Sequence, residues 1–343
     1  MTTADVVQDN RRTSLSIPVH LPHPEVMRVL FPLLLGLSLA ASAPVPPLNP
    51  AGEVDVGAPA QSVALSADGR TLVVGTARDV QRLDPRTLRS LSVLPGSDGG
   101  GWGATFSRAG RLAAAGMSRG VTVWDDLRRP PRTLDSPGGR VFALAWHPDG
   151  QRLALGDAGG YWQVTPGGPR GQLRGDVMAA AWSLDGRTLF LSTGQEDSAT
   201  YALDAITGRV RWRQQNVPAT HTRRAYYGLD EVNGLSLSPD GRILASAHQD
   251  GRVLLRDAAT GHLRRTLTGG EDTRWAAFTP DGTQVVAVGE TGRVNAWTAA
   301  GQPAGQAQVG GELWHVLVLP DGRALTAGAD GAVRAWTLPT QVR

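Results

Sequence analysis

The chain has 343 residues, of which 41% are hydrophobic, and it contains 43 glycines and 23 prolines but no cysteine. The absence of cysteine excludes disulfides and thiolate chemistry, and the many turn-forming residues favour short strands over long helices. All 34 basic residues are arginine, yet the formal net charge is only +3. Because these arginines mostly follow turns instead of clustering, we expect no nucleic-acid partner.

The first predicted element is an export leader that ends at Ala43. A Met27-Arg28 pair precedes an apolar run over residues 29–40 and an Ala-Ser-Ala sequence, which is the pattern of a secretory signal peptide. We predict that residues 1–43 are removed, with Met27 as an alternative translation start, and that the mature protein is periplasmic or extracellular. The apolar run is shorter than the ~20 residues of a membrane-spanning helix, so we expect no stable membrane insertion after cleavage.

After a predicted linker over residues 44–51, the chain repeats one phrase about every forty residues. The phrase consists of two apolar strands joined by a turn that usually contains Asp-Gly, then a tight turn and further strands with more arginine. Asp-Gly suits such turns because glycine adopts positive φ freely and aspartate hydrogen-bonds to nearby backbone. The period is typical of four-stranded propeller blades. The seven turn glycines are Gly69, Gly110, Gly150, Gly186, Gly241, Gly282 and Gly322.

These repeats predict an all-β fold, a seven-bladed β-propeller of four-stranded antiparallel blades over residues 52–343. The first two strands of each repeat are short apolar runs that suit burial on both faces. The seventh repeat ends with its third strand at Trp336, and Glu53 to Val56 precede the first repeat without a partner. We therefore predict that this N-terminal strand is the outermost strand of the last blade. Such closure hides strand edges that would otherwise be exposed.

The repeats resemble the WD40 family over nearly all of residues 52–336. Trp124-Asp125 is the only intact WD dipeptide, and the other repeats keep the Trp or the Asp alone or neither. The family's Gly-His pair before the first strand is absent, while Ser246 and Asp250 occupy two positions of its His-Ser-Asp-Trp hydrogen-bond network. The segment from Ala202 to Trp212 looks instead like a repeat of quinoprotein-dehydrogenase propellers. Both families are propellers, so both resemblances imply the same fold.

No segment predicts a catalytic or metal centre. The stretch from Gly116 to Gly120 matches G-x-S-x-G, but it lies between two predicted strands, where a nucleophile elbow requires a strand, a turn and a helix. The seven histidines form no pair with metal-ligand spacing. We therefore expect no cofactor and a monomeric, non-catalytic scaffold. The alternatives are a quinoprotein-like oxidoreductase, a propeller hydrolase or lactonase, and a structural cell-envelope protein.

The predicted partner site starts from the longest interval between turn glycines. Aligning the strands places one insertion at Gly194 to Ala199 and a longer one at Gln215 to Glu231, and both emerge on one face. The longer insertion carries paired arginines and tyrosines, the types that dominate binding hot spots. Large side chains that begin first strands are expected to form a rim on the same face, although packing between blades would also explain them. The predicted contacts for a protein or peptide partner are Arg223, Arg224, Tyr226, Tyr227, Trp102, Phe142, Met178, Arg274 and Trp314.

Overall fold

The computed structural model describes seven stretches of the chain, and the predicted leader lies outside them. One compact unit spans Val45–Arg343. Its described residues contain 28 strands and no helix, and the strands form seven four-stranded antiparallel sheets. The sheets are the blades of a ring, so the predicted seven-bladed all-β propeller is confirmed. The described stretches are 44–97, 101–116, 120–136, 138–194, 197–215, 231–269 and 272–339.

The innermost strand of each blade comes first in its repeat. Each inner strand contacts the inner strands of both neighbouring blades, and the first contacts the seventh, so the seven surround a central channel. The inner strands are β2 (Ala60–Leu65), β6 (Gly103–Phe106), β10 (Val141–Trp146), β14 (Val177–Trp182), β18 (Val232–Leu237), β22 (Thr273–Phe278) and β26 (Leu313–Val318).

The second strands are buried along almost their whole length because a neighbouring blade covers each of their faces. Seven clusters of buried hydrophobic residues fill the described core, one between each pair of adjacent blades. The core is therefore distributed around the ring. The second strands are β3 (Leu72–Thr76), β7 (Leu112–Ala115), β11 (Leu153–Asp157), β15 (Thr188–Thr193), β19 (Ile243–His248), β23 (Gln284–Gly289) and β27 (Arg323–Gly328).

The third strands pair with the second strands and are still mostly buried. Residues 117–119, within the G-x-S-x-G match, lie outside the described residues, but the strands on either side of them, β7 and β8, belong to one blade. The third strands are β4 (Val80–Leu83), β8 (Gly120–Trp124), β12 (Tyr161–Thr165), β16 (Ala199–Asp204), β20 (Arg252–Asp257), β24 (Arg293–Thr298) and β28 (Ala332–Thr337).

The outer strands are largely exposed, which is why they carry more arginine and other polar residues. Six of them follow the third strand of their own repeat, and the seventh comes from the N-terminal side of the chain. The outer strands are β5 (Ser90–Val93), β9 (Arg132–Asp135), β13 (Arg170–Gln172), β17 (Val210–Gln215), β21 (Leu263–Thr268), β25 (Pro303–Gln308) and β1 (Asn49–Asp55).

The N-terminal strand closes the ring as predicted. β1 pairs antiparallel with β28, and Glu53 lies opposite Arg334. This strand starts at Asn49, inside the segment predicted to be a linker. Its start is earlier because Leu48 is an apolar residue that is only 4% exposed in the cluster between the sixth and seventh blades, where its N–H donates to the carbonyl of Gln306. Leu48, which lies within the predicted linker, therefore belongs to the core.

The Asp-Gly turns lie together on one face of the ring, here called the turn face. All seven turn glycines have positive φ, between 70° and 86°. In four turns a Ser or Thr hydroxyl, three residues before the glycine, lies 2.6 Å from the turn aspartate, as Ser66 does from Asp68. The aspartate also accepts the N–H of the residue after the glycine at 3.0 Å. The same local hydrogen bonds thus build the turn again and again.

Candidate binding site on the rim face

The opposite face of the ring, here called the rim face, is where inner strands begin and second strands end. One residue per blade stands eight positions before its turn glycine at this edge, and we call these seven residues the rim. In six blades the rim residue is the extra residue of a β-bulge, which turns a side chain away from the regular alternation. The rim consists of Gln61, Trp102, Phe142, Met178, Asn233, Arg274 and Trp314.

All five predicted rim contacts occupy this position, and two further members were missed. Gln61 and Asn233 complete the rim in the first and fifth blades, and neither is a large residue, which is why a search for bulky side chains passes over them. The constant spacing to the turn glycine is the signal that finds them. The four predicted contacts of the longer insertion, residues 223, 224, 226 and 227, lie outside the described residues.

Three consecutive blades give the rim an apolar arc. Trp102 is 40% exposed and meets Phe142 edge to face, with ring centroids 6.5 Å apart. Met178 follows in the next blade and lies beside the backbone of Gly194, where an added Cβ would come within 3.2 Å of its Cγ. Large, partly exposed aromatic and thioether side chains of this kind adapt well to apolar groups of a partner.

Below the rim, the channel is a cavity of about 470 Å³ that residues of all seven inner strands line. Alanines such as Ala64, Ala104 and Ala180 make much of the wall. Trp275 and His315 stack across the sixth and seventh blades, with ring centroids 4.4 Å apart. Burial lowers the pKa of His315 to about 3, so its imidazole is neutral near pH 7 and behaves as part of an uncharged wall.

The fifth and sixth blades give the rim a polar, charged arc. Arg274 forms an ion pair with Glu290, and its guanidinium also donates to the side-chain oxygen of Asn233 at 3.4 Å. Two carboxylates lie near this arc. Burial raises the pKa of Glu231, which Arg274 opposes and Asp176 reinforces. Burial, together with the charge of another aspartate, also raises the pKa of Asp176. The arc therefore combines one engaged cation with two carboxylates whose ionised forms are disfavoured.

The shorter insertion is tied to its own blade by a buried polar cluster. Asp197 is 8% exposed, accepts a hydrogen bond from the Tyr201 hydroxyl and pairs with the Arg213 guanidinium. That guanidinium also lies 5.7 Å from the centre of the Tyr201 ring. Burial, and then the hydrogen bond to Asp197, raise the pKa of Tyr201. These contacts hold Asp197 to the third and outer strands of the fourth blade at the rim face.

On the turn face, His147 joins the third blade to the fourth. Its Nε2–H donates to the carbonyl of Gly186 at 3.0 Å, and its Nδ1 accepts the N–H of Asp149 at 3.1 Å. The imidazole also meets the Trp182 ring edge to face at 4.7 Å. Within the described part of the chain, no three His, Asp or Glu side chains are close enough to hold a metal ion. Those same residues include no helix of the length and hydropathy needed to span a membrane.

Parts of the hydrogen-bond network expected from the WD40 resemblance are present in altered form. In the fifth blade the Ser246 hydroxyl lies 2.8 Å from Nε2 of His248, while Asp250 accepts from Arg252 at 2.6 Å. In the seventh blade the Trp336 indole donates to a threonine hydroxyl of the second strand at 3.0 Å. Different blades thus satisfy the equivalent buried polar positions with different partners.

Comparison with known families agrees with this architecture. A model described as "WD domain, G-beta repeat" matches residues 128–164, from the outer strand of the second blade through the third strand of the third. The model of the anaphase-promoting complex subunit 4 WD40 domain matches residues 210–289, from the fourth blade into the sixth. With seven four-stranded blades, these matches make the chain a WD40-repeat-like β-propeller, a fold that commonly serves as a protein-interaction scaffold. Comparison with curated protein sequences gives no significant match.

Proposed function

We propose that this protein is an exported, non-catalytic propeller that binds a protein or peptide partner on its rim face. One observation carries the proposal. Six residue types occupy the seven rim positions, whereas aspartate precedes the turn glycine in six of seven turns on the opposite face. A frame that repeats at one face and varies at the other supports recognition at the variable face, because binding residues commonly lie where a rigid scaffold presents them.

The chemistry of the rim suits a peptide or protein more than a small metabolite. Tryptophan and arginine are enriched at interface hot spots because they combine large contact areas with directed hydrogen bonds. Trp102 and Trp314 supply the first kind of contact and Arg274 the second. The paired Arg and Tyr residues at positions 223, 224, 226 and 227 are proposed as further contacts. A partner that covers the rim would also close the cavity beneath it.

The export part of the proposal rests on the leader pattern and has its own test. We expect cleavage after Ala43, so that Pro44 is the first residue of the mature protein. Intact-mass measurement of protein recovered from the producing cells and from their medium checks this directly. An exported protein that still contains Met27, or a purely cytosolic protein without cleavage, would contradict it.

The binding part is tested by affinity capture of the mature protein from a cell-envelope extract. The wild-type chain should retain a partner that Trp102→Ala loses. Ile206→Ala is the matched control, because Ile206 is an 81% exposed apolar residue in a connection on the turn face. Equal capture by wild type and Trp102→Ala, or loss of capture in Ile206→Ala alone, would place the interface elsewhere.

A further inference from the structure

His315 is unlike the other histidines that the propeller encloses. His147 has a hydrogen-bond partner at each ring nitrogen, and Nε2 of His248 lies 2.8 Å from the Ser246 hydroxyl. The buried Nδ1 of His315 has no partner, and no hydrogen bond of the described residues involves its Nε2. Buried polar groups are nearly always hydrogen-bonded, because leaving one unpaired is costly. The His315 imidazole therefore has hydrogen-bonding capacity that the protein itself does not use.

This imidazole stands in the channel just below the rim, at the level formed by the residue that follows the rim residue in each blade. Trp275 and His315 fill this level on the sixth and seventh blades with two stacked rings. In the other five blades the equivalent side chains have at most two heavy atoms. They belong to Ser62, Gly103, Ala143, Ala179 and Gly234. Small residues therefore leave space in the channel beside a wall of two rings.

The lining of this cavity carries little charge. The described residues that line it include no carboxylate. Their one guanidinium belongs to Arg108, which is exposed on the turn face. The imidazole of His315 is neutral near pH 7, because burial lowers its pKa to about 3. Since an ion buried without a counter-charge is costly, the channel favours an uncharged ligand over a cation or an anion.

The size and the lining of the cavity are those of a ligand site. Its volume of about 470 Å³ is typical of pockets for small molecules, which combine apolar and aromatic walls with a few polar groups that orient the ligand. We infer that the channel binds a small, uncharged aromatic molecule that carries one hydroxyl or N–H group. Its ring would pack against Trp275 and His315, with Trp102 and Phe142 at the rim end of the same cavity. Its polar group would form a hydrogen bond with the His315 imidazole.

This binding goes beyond the proposed recognition of a partner, and the free mature protein is enough to test it. The probes are 4-methylphenol and 1,4-dimethylbenzene, which have the same shape and differ in one hydroxyl, titrated separately and followed by NMR. In an apolar channel without a hydrogen-bond partner, 1,4-dimethylbenzene would bind more tightly, because the hydroxyl loses its hydrogen bonds to water. We expect the wild type to bind 4-methylphenol at least as tightly as 1,4-dimethylbenzene.

The variant that tests the hydrogen bond is His315→Phe, which keeps a ring in the wall and removes both ring nitrogens. It should shift the ratio of the two affinities about tenfold or more towards 1,4-dimethylbenzene. The control is His262→Gln, at a position that is exposed in the folded protein, and it should keep the wild-type ratio. Absence of binding of 4-methylphenol to the wild type, or an unchanged ratio in His315→Phe, would overturn the inference.

The position of the probe is measured directly from the indole N–H resonance of Trp275, which is assigned by its loss in Trp275→Phe. Saturation of the wild type with 4-methylphenol should shift this resonance, and it should not shift that of Trp212, on the outer strand of the fourth blade. This measurement uses the wild type, so it decides the location even if His315→Phe binds neither probe. A shift at Trp212 without one at Trp275 would place the probe outside the channel and overturn the inference.

The expected preference for an uncharged ligand has its own probe, 4-methylbenzylamine, which is a cation at pH 7. It should bind about tenfold or more weakly than 4-methylphenol, because the described lining offers no carboxylate to pair with it. Equal or tighter binding of the amine in the channel would show that the site recognises a cation and would overturn the inference.

Discussion

The turn face and the rim face of this propeller are built from the same seven repeats but differ in how much their residues vary from blade to blade. On the turn face, Asp-Gly pairs recur, and their hydroxyl and N–H partners sit at the same offsets in blade after blade. On the rim face, equivalent positions carry Gln, Trp, Phe, Met, Asn, Arg and Trp. In six of the seven blades a bulge presents this side chain at the mouth of the channel. The backbone conformation of the turns determines which residues occur on the turn face. It does not restrict the residue types on the rim face, which therefore vary.

The polar groups of the two faces differ in the same way. His147 on the turn face has a hydrogen-bond partner at each ring nitrogen, whereas the buried Nδ1 of His315, near the rim, has none among the described residues. Asp240 and its equivalents are held by short local hydrogen bonds, whereas the carboxyl of Glu231 is mostly buried at the rim face, which raises its pKa. Satisfied groups stabilise the frame, and unsatisfied groups near a cavity are a cost that binding can offset.

The largest expected loss of stability comes from adding a side chain at one turn glycine of the turn face. Gly186 and Gly69 share a φ of +70°, but a Cβ on Gly186 would collide with the His147 imidazole, while one on Gly69 would meet nothing within 4 Å. Gly69→Ala should therefore cost about 1 kcal/mol of unfolding free energy, for backbone strain alone. Gly186→Ala should cost about 3 kcal/mol or more, because His147 must also leave the Gly186 carbonyl. Urea unfolding of both variants measures the difference. Equal costs would show that the contact between the third and fourth blades contributes little.

The second effect is a loss of stability in mild acid. Burial lowers the pKa of both His248 and His315 to about 3, against about 6.5 in an unfolded chain. Between these values the unfolded chain binds protons that the folded chain does not. The free energy of unfolding should therefore be greatest above pH 6.5. As the pH decreases below 6.5, it should fall by at most about 1.4 kcal/mol per pH unit for each histidine. Asp250, Arg252 and Arg256 also act on His248.

Urea unfolding at pH 7.5, 6.5 and 5.5 checks this slope. His315→Phe retains the stack on Trp275 and removes the titrating group, so it should reduce the slope in this range. The matched control is His262→Gln, whose side chain is exposed in the folded protein and which should leave the slope as in the wild type. A slope that His315→Phe does not change would mean that the buried imidazole of the channel wall is not the acid-sensitive group.

A smaller effect on stability and a larger one on binding are expected at the apolar arc. Trp102→Ala should cost about 1–2 kcal/mol of unfolding free energy, because the indole is 40% exposed and its ring meets that of Phe142 edge to face. It should weaken partner binding at least tenfold. Ile206→Ala should change the unfolding free energy by at most about 0.5 kcal/mol and leave binding intact. If the two variants bind equally well, the variable rim has no role in recognition.

The smallest effect on stability is expected from the longer insertion. Replacing Arg223, Arg224, Tyr226 and Tyr227 together by alanine should leave Tm nearly unchanged and weaken partner binding at least tenfold, or about 1.4 kcal/mol. Thermal unfolding and titration with the captured partner provide the two measurements. Unaltered affinity would exclude this segment from the interface and leave recognition to the rim.

Much of the fold could be predicted because each blade is encoded locally. A period of about forty residues, turn glycines and short apolar runs predict the number of blades and the order of strands within each. Closure by Glu53 to Val56 followed from counting strands, since the seventh repeat has only three. The boundary at Asn49 was missed because burial of Leu48 depends on a groove between the sixth and seventh blades, which are hundreds of residues away in the chain.

Only part of the rim could be predicted from the sequence, for a similar reason. Trp102 and Phe142 are conspicuous as residue types, whereas Gln61 and Asn233 are ordinary polar residues whose position becomes significant only in relation to the bulge of the inner strand. The sequence by itself determined the repeated frame, because hairpin turns and strand burial depend on neighbours within one repeat. Only the tertiary structure decided which side chains meet across blades, including Glu231 beside Gly194 and His315 on Trp275. Ring closure brings together residues that the chain keeps about forty or more positions apart, and no local pattern specifies whether the groups that meet there are paired.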